Sequence, residues 1–414
     1  MSEFTNNFSG DIHDVEHIFS PLTIRKKALE IYNLALSGET HFIIHPDKLD
    51  EVSKFVCSVT LENYPNLNIP FHSRWNHFNV GNFDRLSELK AVLTRFTVNQ
   101  RTKSKLDLVV LSVLLDAGAG NLWHYLEKNT GKEYSRSEGL AIASLRMFLS
   151  GLFSSEKENP YQVHAEKLKS LTLDELAEGL QLSDKNILIG LEGRLKLLQS
   201  LGGTLLKNSD IFGVENPRIG NMLDYLLEKY PMGNITATQI LRTIQEGLGS
   251  IWPGRSAINQ INLGDVWSYQ AFGEGIDSLV PFHKLSQWLS YSLFEPLMEA
   301  GFTISQIDKL TGLAEYRNGG LMLDTELITL KNKSELEKFH LPGSPLVVEW
   351  RALTIALLDE IGKKVTELLG KKTSEFPLAR VLEGGTWWAG RRIATMLRKD
   401  GSPPLKIESD GTVF

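Results

Sequence analysis

Residues 312–323, GLAEYRNGGLML, place a carboxylate, a phenol and a guanidinium in three consecutive positions, followed by an asparagine and two glycines. Side chains two positions apart on a helix do not face each other, so Glu315 and Arg317 cannot pair readily with one another. Each of them must find a partner elsewhere in the chain or meet a ligand. The stretch therefore predicts a charged element at the centre of the fold or of a site.

A second triplet of the same kind, Glu349-Trp350-Arg351, lies downstream. The two triplets can pair across two helices, Glu315 with Arg351 and Glu349 with Arg317. Such a network would only tie the helices together, whereas unpaired charges would point to a binding or catalytic site. Both interpretations remain open at this point.

Apolar residues recur at helical spacing on either side of these triplets. Helices are predicted at 21–38, 46–61, 84–97, 106–127, 138–152, 217–230, 236–247, 281–300 and 349–369. Short extended runs occur at 41–45 and, as a small hairpin, at 405–414. The sequence predicts a mainly α fold with minor β elements near both ends.

Length and composition describe an ordinary globular chain. The 414 residues suffice for two or three compact units, or for one large domain. Hydrophobic residues make up 42% and charged residues 23%, which is typical of soluble domains. We expect a single large helical domain over 1–414, with sub-lobes 1–160 and 161–414 as a finer division.

Charge and cysteine content narrow the classes of function. A net charge of −6 and a pI near 6.0 argue against a nucleic-acid binder, which needs a basic face. Cys57 is the single cysteine, so no disulfide can form within the chain and a cytoplasmic location is expected. The acidic N-terminus is unlike a signal peptide, and the apolar run 106–115 is too short for a membrane span. A small-molecule ligand is the expected partner.

Carboxylates next to aromatic residues or glycines are the leading site candidates. Asp116 follows a buried apolar run and precedes Gly118 and Gly120, so it is either a site residue or half of a buried polar pair. The loop-rich region 251–275 holds Arg255, Asp265, Trp267 and Tyr269.

The segment 71–78, FHSRWNHF, concentrates polar and aromatic residues without a helical or strand period. It predicts either a ligand-facing loop, with His77 as the contact, or a hydrogen-bonded structural loop. His72, His124 and the pair Trp387-Trp388 more often have structural roles in such patterns. The chain has no metal, nucleotide or dinucleotide motif of known spacing, so neither a metal nor a cofactor is expected.

Many long motifs occur in the order seen in one known family. The chain resembles the uracil catabolism family of fungi and bacteria, which degrades uracil through its nucleotide without a reductase. The motifs are SRWNHF (73–78), LLDAGAGNLW (114–123), RSEGLAIAS (136–144), GNMLDYL (220–226), LGDVW (263–267), VPFHKLSQWLSYSLFEPL (280–297), LAEYRNGGL (313–321), VEWRALTIALLD (348–359), EGGTWWAG (383–390) and DGTVF (410–414).

The order LGDVW, LAEYR and VEWRALTIALLDEI is also similar, more distantly, to the queuosine-salvage nucleotide glycosylases. Those enzymes hydrolyse an N-glycosidic bond of a nucleoside 5′-phosphate on a helical fold related to DNA glycosylases. The resemblance implies Glu315 as the catalytic carboxylate, in place of an aspartate, with Asp265 as the second carboxylate. Gly319-Gly320 replaces a Pro-Gln pair, which implies a smaller and more polar leaving group.

The resemblance implies hydrolysis of a ribosylurea-type nucleotide to urea and ribose 5-phosphate. Two alternatives are an amidohydrolase acting on a ureido intermediate and a non-catalytic binding protein of the same pathway. For hydrolysis of the ribosylurea-type nucleotide, the expected substrate-binding residues are Asp116, Trp123, Arg255, Trp267, Arg317, Glu349, Arg351 and His77. Trp123 and Trp267 would wall the site, and Arg255, Arg317 or Arg351 would take the phosphate.

Overall fold

A computed structural model describes residues 5–116, 118–120 and 122–408. Within these residues the fold is mainly α, as predicted. The helices are α1 (Ile12–Phe19), α2 (Pro21–Leu36), α3 (Leu49–Asn63), α4 (Trp75–Phe78), α5 (Arg85–Leu93), α6 (Val98–Leu115), α7 (Arg136–Leu149), α8 (Ala165–Ser170), α9 (Leu173–Gly179), α10 (Leu191–Lys207), α11 (Ser209–Phe212), α12 (Met222–Lys229), α13 (Ala237–Leu248), α14 (Lys284–Glu299), α15 (Tyr316–Asp324), α16 (Pro345–Leu368), α17 (Leu378–Val381) and α18 (Trp387–Leu397). A π-helical turn, Leu382–Thr386, joins α17 to α18.

Short strands lie near both ends of the chain and between the helices. They are β1 (Asn6–Phe8), β2 (Phe42–Ile44), β3 (His124–Glu127), β4 (Lys132–Ser135), β5 (Asn234–Thr236), β6 (Ser256–Ile258), β7 (Ile261–Asn262), β8 (Val266–Ser268), β9 (Leu279–Pro281), β10 (Thr303–Ser305), β11 (Ile328–Leu330), β12 (Phe339–His340) and β13 (Lys406–Ile407). The pairs β1–β6, β5–β10 and β12–β13 are parallel, and β2–β11, β3–β4, β6–β7 and β8–β9 are antiparallel.

The predicted hairpin at 405–414 is only partly covered, because residues 409–414 lie outside the described chain. Its described part, β13, pairs with β12 in parallel register, with Phe339 opposite Lys406 and His340 opposite Ile407. The start of this segment is therefore anchored on a distant part of the chain.

The helix predicted at 106–127 is shorter than expected. It ends at Leu115, and Asp116 leaves helical geometry with φ −84° and ψ 60°. The buried Arg194 guanidinium donates to the carbonyls of Leu115 and Gly118, each at 3.1 Å, and so satisfies backbone acceptors at the helix end. The chain then resumes as β3. The turn places Asp116 at the C-terminal end of a buried helix rather than inside it.

The core surrounds three buried helices, α6, α14 and α16. Every residue of α6 from Leu106 to Leu115 is buried, as its apolar sequence predicts. Helix α14 packs between α6 and α13, and α16 packs against α2, α3 and α15. The largest apolar cluster extends from Ala35 to Leu405 and so draws on both 1–160 and 161–414. The division into sub-lobes stays a prediction.

Glycines allow α15 to approach its two neighbours closely. A Cβ on Gly319 would lie 2.7 Å from the ring of Trp350, whose Nε1 donates to the Gly319 carbonyl at 3.0 Å. A Cβ on Gly390 of α18 would overlap the carbonyl oxygen of Arg317. These close contacts at glycines hold the two charged triplets together.

In the described residues, no helix is both long and apolar enough to cross a bilayer.

Replacing Gly390 by alanine is expected to lower the free energy of unfolding by at least ~1–3 kcal/mol, because the new Cβ meets rigid backbone. The matched control is Gly203→Ala in α10, where a Cβ would meet open space and helix propensity should raise stability by up to ~1 kcal/mol. Guanidinium unfolding of both variants measures the difference. Equal effects from the two substitutions would contradict the close packing of α15 and α18.

Candidate functional site

A pocket opens where the end of α6 meets the N-terminal ends of α14, α15 and α18. Its volume is about 310 Å³, within the range of small-molecule sites. It brings together four residues that the sequence analysis placed at a site, Asp116, Glu315, Arg317 and His77. Other side chains complete the lining, among them His72, Arg136, Ser137, Lys284, Trp288, Tyr316 and Trp387.

Asp116 presents its carboxylate to this pocket from the end of α6. Its Oδ2 accepts hydrogen bonds from Arg74 Nη1 at 2.8 Å and from the hydroxyl of Ser137. Arg74 is fully buried and also donates from Nε to Ser112 at 2.7 Å, so the ion pair is anchored in the core. Among the described residues Oδ1 has no hydrogen-bond partner, which leaves one oxygen for a ligand.

Glu315 is the N-cap residue of α15. Its Oε2 accepts from the backbone N–H of Arg317 at 2.8 Å, and its Oε1 accepts from that of Asn318 at 2.6 Å. Negative charge is favoured at a helix N-terminus. The residue is only 7% exposed, and each oxygen keeps a second acceptor site. Glu315 therefore holds a buried charge in the pocket with a fixed orientation.

Lys284, the first residue of α14, brings an amine to the same region. Burial lowers the pKa of this amine, although the charges of Glu315 and Asp116 act in the opposite direction. Since both carboxylates act on Lys284, the three groups form one electrostatic cluster. The backbone N–H of Lys284 also donates to Asp265 Oδ2 at 3.1 Å, which links the pocket wall to the layer behind it.

Aromatic rings form another wall of the pocket. The His77 ring lies 5.8 Å from the Trp288 ring and 5.7 Å from the Trp387 ring, measured between centroids. The His72 ring stacks on Trp288 at 6.4 Å with an interplanar angle of 24°. Trp288 Nε1 is buried and has no hydrogen-bond partner in the described part of the chain. The wall offers flat ring surfaces to a planar polar group.

His77 is neutral in this environment. Burial holds the pKa of its ring well below the ordinary value, and the positive charge of Arg74 adds to the effect. Its Nδ1 lies 3.2 Å from Arg74 Nη1, and because a guanidinium only donates, Nδ1 is the acceptor. The proton therefore resides on Nε2, so His77 is a hydrogen-bond donor to a ligand on that side.

Two arginines border the pocket next to the C-terminal segment. Arg317 Nη1 donates to the Gly401 carbonyl at 2.9 Å, and Arg136 Nη2 donates to the Asp400 carbonyl at 2.6 Å. Arg317 Nε is buried without a partner among the described residues. The segment that follows supplies Ser402, Pro403, Leu405 and Ile407 to the lining. An anionic group at this edge would meet two guanidinium groups.

Asp265 lies behind the pocket lining and is engaged by other side chains. Arg351 donates to both of its oxygens at 2.7 Å, and Trp267 Nε1 donates to Oδ1 at 2.8 Å. Burial alone would raise the pKa of this carboxyl, but the charge and hydrogen bonds of Arg351 hold it well below the ordinary value. This geometry supports a positioning role for Asp265 rather than the catalytic role expected from the sequence.

The predicted cross-pairing of the two triplets is wrong. Arg351 pairs with Asp265, while Glu349 accepts from the Tyr269 hydroxyl at 2.9 Å and contacts His41 Nδ1 at 2.8 Å. Burial and the charge of Glu349 raise the pKa of the Tyr269 phenol. Over the described chain, no ion pair joins either glutamate of the triplets to either arginine. Arg351 and Glu349 thus find partners on other elements, while Glu315 accepts from backbone N–H groups of its own helix.

Three other predicted residues do not line the pocket. Trp123 is fully buried, and its Nε1 donates to the Leu180 carbonyl at 2.9 Å, which is a core role. The Arg255 guanidinium lies 4.9 Å from the Trp267 ring centroid, and Trp267 itself bonds Asp265. Arg255 and Trp267 therefore belong to the cluster behind the pocket, with Asp265 and Arg351.

The sequence did not predict that aromatic residues form a wall of the pocket. His72 and Trp387 were expected to have structural roles, yet both reach the pocket, and Lys284 and Trp288 were not singled out. The segment 71–78 carried a signal in its unperiodic polar and aromatic composition. Lys284 and Trp288 lie in a helix with apolar spacing, which does not reveal that its first turns face a cavity.

The arrangement combines two carboxylates, an amine, two guanidinium groups and stacking rings. It can hold an anion, stack a planar polar group and stabilise a positive charge between them. Among the described residues, no cluster of three or more His, Cys, Asp or Glu side chains is arranged to hold a metal ion.

Comparison with known proteins gives one family and two similar relatives. Residues 17–414 match the model of a family described as "Protein of unknown function (DUF1688)". The chain is 39% identical over 439 residues to "Uracil catabolism protein 4" of Lachancea kluyveri, covering 97% of this chain and 99% of the relative. It is 40% identical over 415 residues to "Protein urg3" of Schizosaccharomyces pombe, with the same coverage.

Asp265→Asn is expected to lower the free energy of unfolding by ~3–5 kcal/mol at pH 7, because it leaves Arg351 buried without its countercharge. The native pKa of Asp265 is depressed, so its contribution is present above the unfolded value near ~4 and is lost as the pH falls below it. The difference in the free energy of unfolding between the variant and the wild type should therefore become smaller below about pH 4.

Guanidinium unfolding at several pH values measures this difference. Asp224→Asn is the matched control, because Asp224 forms an exposed pair with Lys103 and should contribute under ~1 kcal/mol. An effect of Asp265→Asn no larger than that of the control would contradict the structural ion pair.

Proposed function

We propose a function from two premises: the chain belongs to the DUF1688 family, and its pocket gathers two carboxylates beside stacking aromatic rings. The relative named "Uracil catabolism protein 4" supports a role in uracil catabolism for this chain as well. Within that role we assign it the hydrolysis of the N-glycosidic bond of a ribosylurea-type nucleotide. The products would be urea and ribose 5-phosphate.

The observation that carries the proposal is the presence of Glu315 and Asp116 in one pocket. Cleavage of an N-glycosidic bond passes through a transition state with positive charge on the sugar carbon. A fixed carboxylate next to that carbon stabilises the charge, and it can also take a proton from the attacking water. The C1′–N bond breaks with its electron pair on the urea nitrogen, while the water oxygen bonds to C1′.

Glu315 suits the central role better than Asp116. Its hydrogen bonds come from two backbone N–H groups, whereas Asp116 is partly neutralised by Arg74. The negative charge of Glu315 is therefore available to a cationic transition state. Asp116, through Oδ1, which accepts no hydrogen bond from the described residues, would help to position the water or a sugar hydroxyl. It takes the place of second carboxylate that the resemblance gave to Asp265.

The rest of the pocket fits the two ends of such a substrate. The planar ureido group can stack against the ring of Trp288, which lines the pocket. The 5′-phosphate is matched by the guanidinium groups of Arg317 and Arg136, which border the pocket next to the C-terminal segment. Arg351 and Arg255, the other arginines expected at the phosphate, are engaged behind the pocket.

A non-catalytic binding protein is the second candidate. The saturation of Asp265 by Arg351 favours it, because one of the two carboxylates implied by the resemblance is a structural group. Glu315 favours the enzyme, since it lines the pocket and no guanidinium group among the described residues donates to it. Turnover of ribosylurea 5-phosphate separates the two candidates.

Glu315→Gln is expected to reduce the rate of urea release from ribosylurea 5-phosphate by ~10²–10⁴-fold, because it removes the charge and the base together. Glutamine keeps a side-chain oxygen that can cap α15, so the fold should persist. Urea and ribose 5-phosphate are quantified in parallel over time.

Glu246→Gln is the matched control, since Glu246 forms an exposed pair with Arg242 on α13, away from the pocket lining. It should release urea at the wild-type rate. Absence of urea with the wild type, or equal rates for wild type and Glu315→Gln, would overturn the proposed function.

Arg136→Gln is expected to raise KM for ribosylurea 5-phosphate by ~10–100-fold, because a charge-assisted hydrogen bond to the phosphate contributes ~1.5–3 kcal/mol. Unphosphorylated ribosylurea should be processed equally by the variant and the wild type. Steady-state kinetics on both substrates measure the effect. A similar loss on both would contradict the phosphate contact.

A further inference from the structure

We propose that His72 donates the proton to the departing urea nitrogen and that Glu383 holds its imidazole ring in place. This inference rests on the proposed function and names the group that acts on the leaving side of the bond. No side chain in the preceding scheme supplies that proton. Urea is a poor leaving group as an anion, so its nitrogen must be protonated as the bond breaks.

His72 and Glu383 form a buried dyad at the pocket wall. Nδ1 of His72 lies 2.8 Å from Oε2 of Glu383, and both side chains are almost completely buried. The Tyr64 hydroxyl donates to Oε1 of the same glutamate at 3.2 Å. Burial and the charge of Glu383 raise the pKa of the Tyr64 phenol, so it stays a neutral donor.

The backbone around Glu383 is shaped to bring its carboxylate to this position. Glu383 lies in the π-helical turn Leu382–Thr386, a rare conformation that occurs frequently at functional sites. The turn is packed tightly on α3 and on the loop that follows it: a Cβ on Gly385 would lie 2.5 Å from Thr60 of α3, and one on Gly384 would lie 2.6 Å from Ile69 of the loop. The glutamate is therefore held by backbone packing as well as by its hydrogen bonds.

The second ring nitrogen of His72 remains available. Nδ1 is committed to Glu383, and Nε2 has no hydrogen-bond partner among the described residues, although the ring lines the pocket. A carboxylate on one imidazole nitrogen fixes the tautomer and stabilises the ring when it is protonated. The ring also stacks on Trp288 and lies 6.4 Å from the tilted ring of Trp387, measured between centroids, which restricts its orientation.

His77, the neighbouring histidine, cannot serve in the same way. Its ring is neutral, and its Nδ1 accepts from the cationic Arg74 rather than donating to a carboxylate. An imidazole next to a fixed guanidinium is a poor carrier of a second positive charge. The two histidines of the segment 71–78 thus have different environments, and that of His72 suits proton transfer.

The proposed reaction transfers one proton to the leaving group and takes one from the attacking water. The imidazolium of His72 keeps Nδ1–H on Glu383 and transfers the proton on Nε2 to the urea nitrogen as the C1′–N bond breaks. Water bonds to C1′ and gives its proton to Glu315. Neutral His72 regains a proton and Glu315 loses one to solvent, so the sum is ribosylurea 5-phosphate plus water to urea plus ribose 5-phosphate.

The test compares two leaving groups in His72→Gln. Urea needs protonation and 4-nitrophenolate does not, so the substrates are ribosylurea 5-phosphate and 4-nitrophenyl ribofuranoside 5-phosphate. We expect His72→Gln to lose ~10²–10⁴-fold in kcat on the first substrate and less than ~10-fold on the second. Glu383→Gln should show the same selectivity with a smaller loss.

His45→Gln is the matched control, because His45 bonds Thr329 between β2 and β11 and does not line the pocket. It should retain both activities. Equal losses on the two substrates in His72→Gln, with urea released by the wild type, would overturn the role of His72 and leave the proposed function standing. No urea from the wild type would overturn the proposed function and, with it, the leaving group on which the dyad acts.

Discussion

The carboxylate of Glu315 accepting two backbone N–H groups at the start of α15 is the interaction on which the site depends. It fixes a negative charge in the pocket, and no guanidinium group among the described residues donates to it. The helix that carries it is itself fixed, because Gly319 packs on Trp350 and Gly390 packs on the backbone of Arg317. Tight helix contacts therefore set the position of the charge, and flexible side chains contribute little to it.

Around this charge the structure separates two kinds of polar group. Asp265, Arg351, Trp267 and Arg255 form a cluster behind the lining, in which the pairing is internally satisfied. Asp116, Lys284, Trp288 and Arg317 line the pocket, and within the described chain Trp288 Nε1 and Arg317 Nε have no hydrogen-bond partner. Buried groups that satisfy each other stabilise the fold, whereas those left incomplete are the ones a ligand can complete.

Sequence periodicity predicted the mainly α fold, and the apolar run before Asp116 predicted a buried helix, although this helix ends at Leu115 instead of continuing to residue 127. The resemblance directed attention to Glu315 and Arg317, which share the pocket. What could not be predicted is pairing across long separations: Asp265 meets Arg351 86 residues away, and His72 meets Glu383 311 residues away. The predicted cross-pairing of the two triplets was wrong for the same reason. Arg351 and Glu349 pair with residues on other elements, and the spacing of residues in the sequence does not encode where those elements lie.

The proposed function requires the chain to break the bond between the sugar carbon and the ureido nitrogen. This step can be followed by ¹³C NMR during turnover of ribosylurea 5-phosphate that carries a ¹³C label at the urea carbonyl. We expect the label to appear as intact urea alongside ribose 5-phosphate. Label in carbamate or bicarbonate would mean cleavage within the ureido group, and an unchanged substrate signal would mean binding without catalysis; either result would contradict the proposed function.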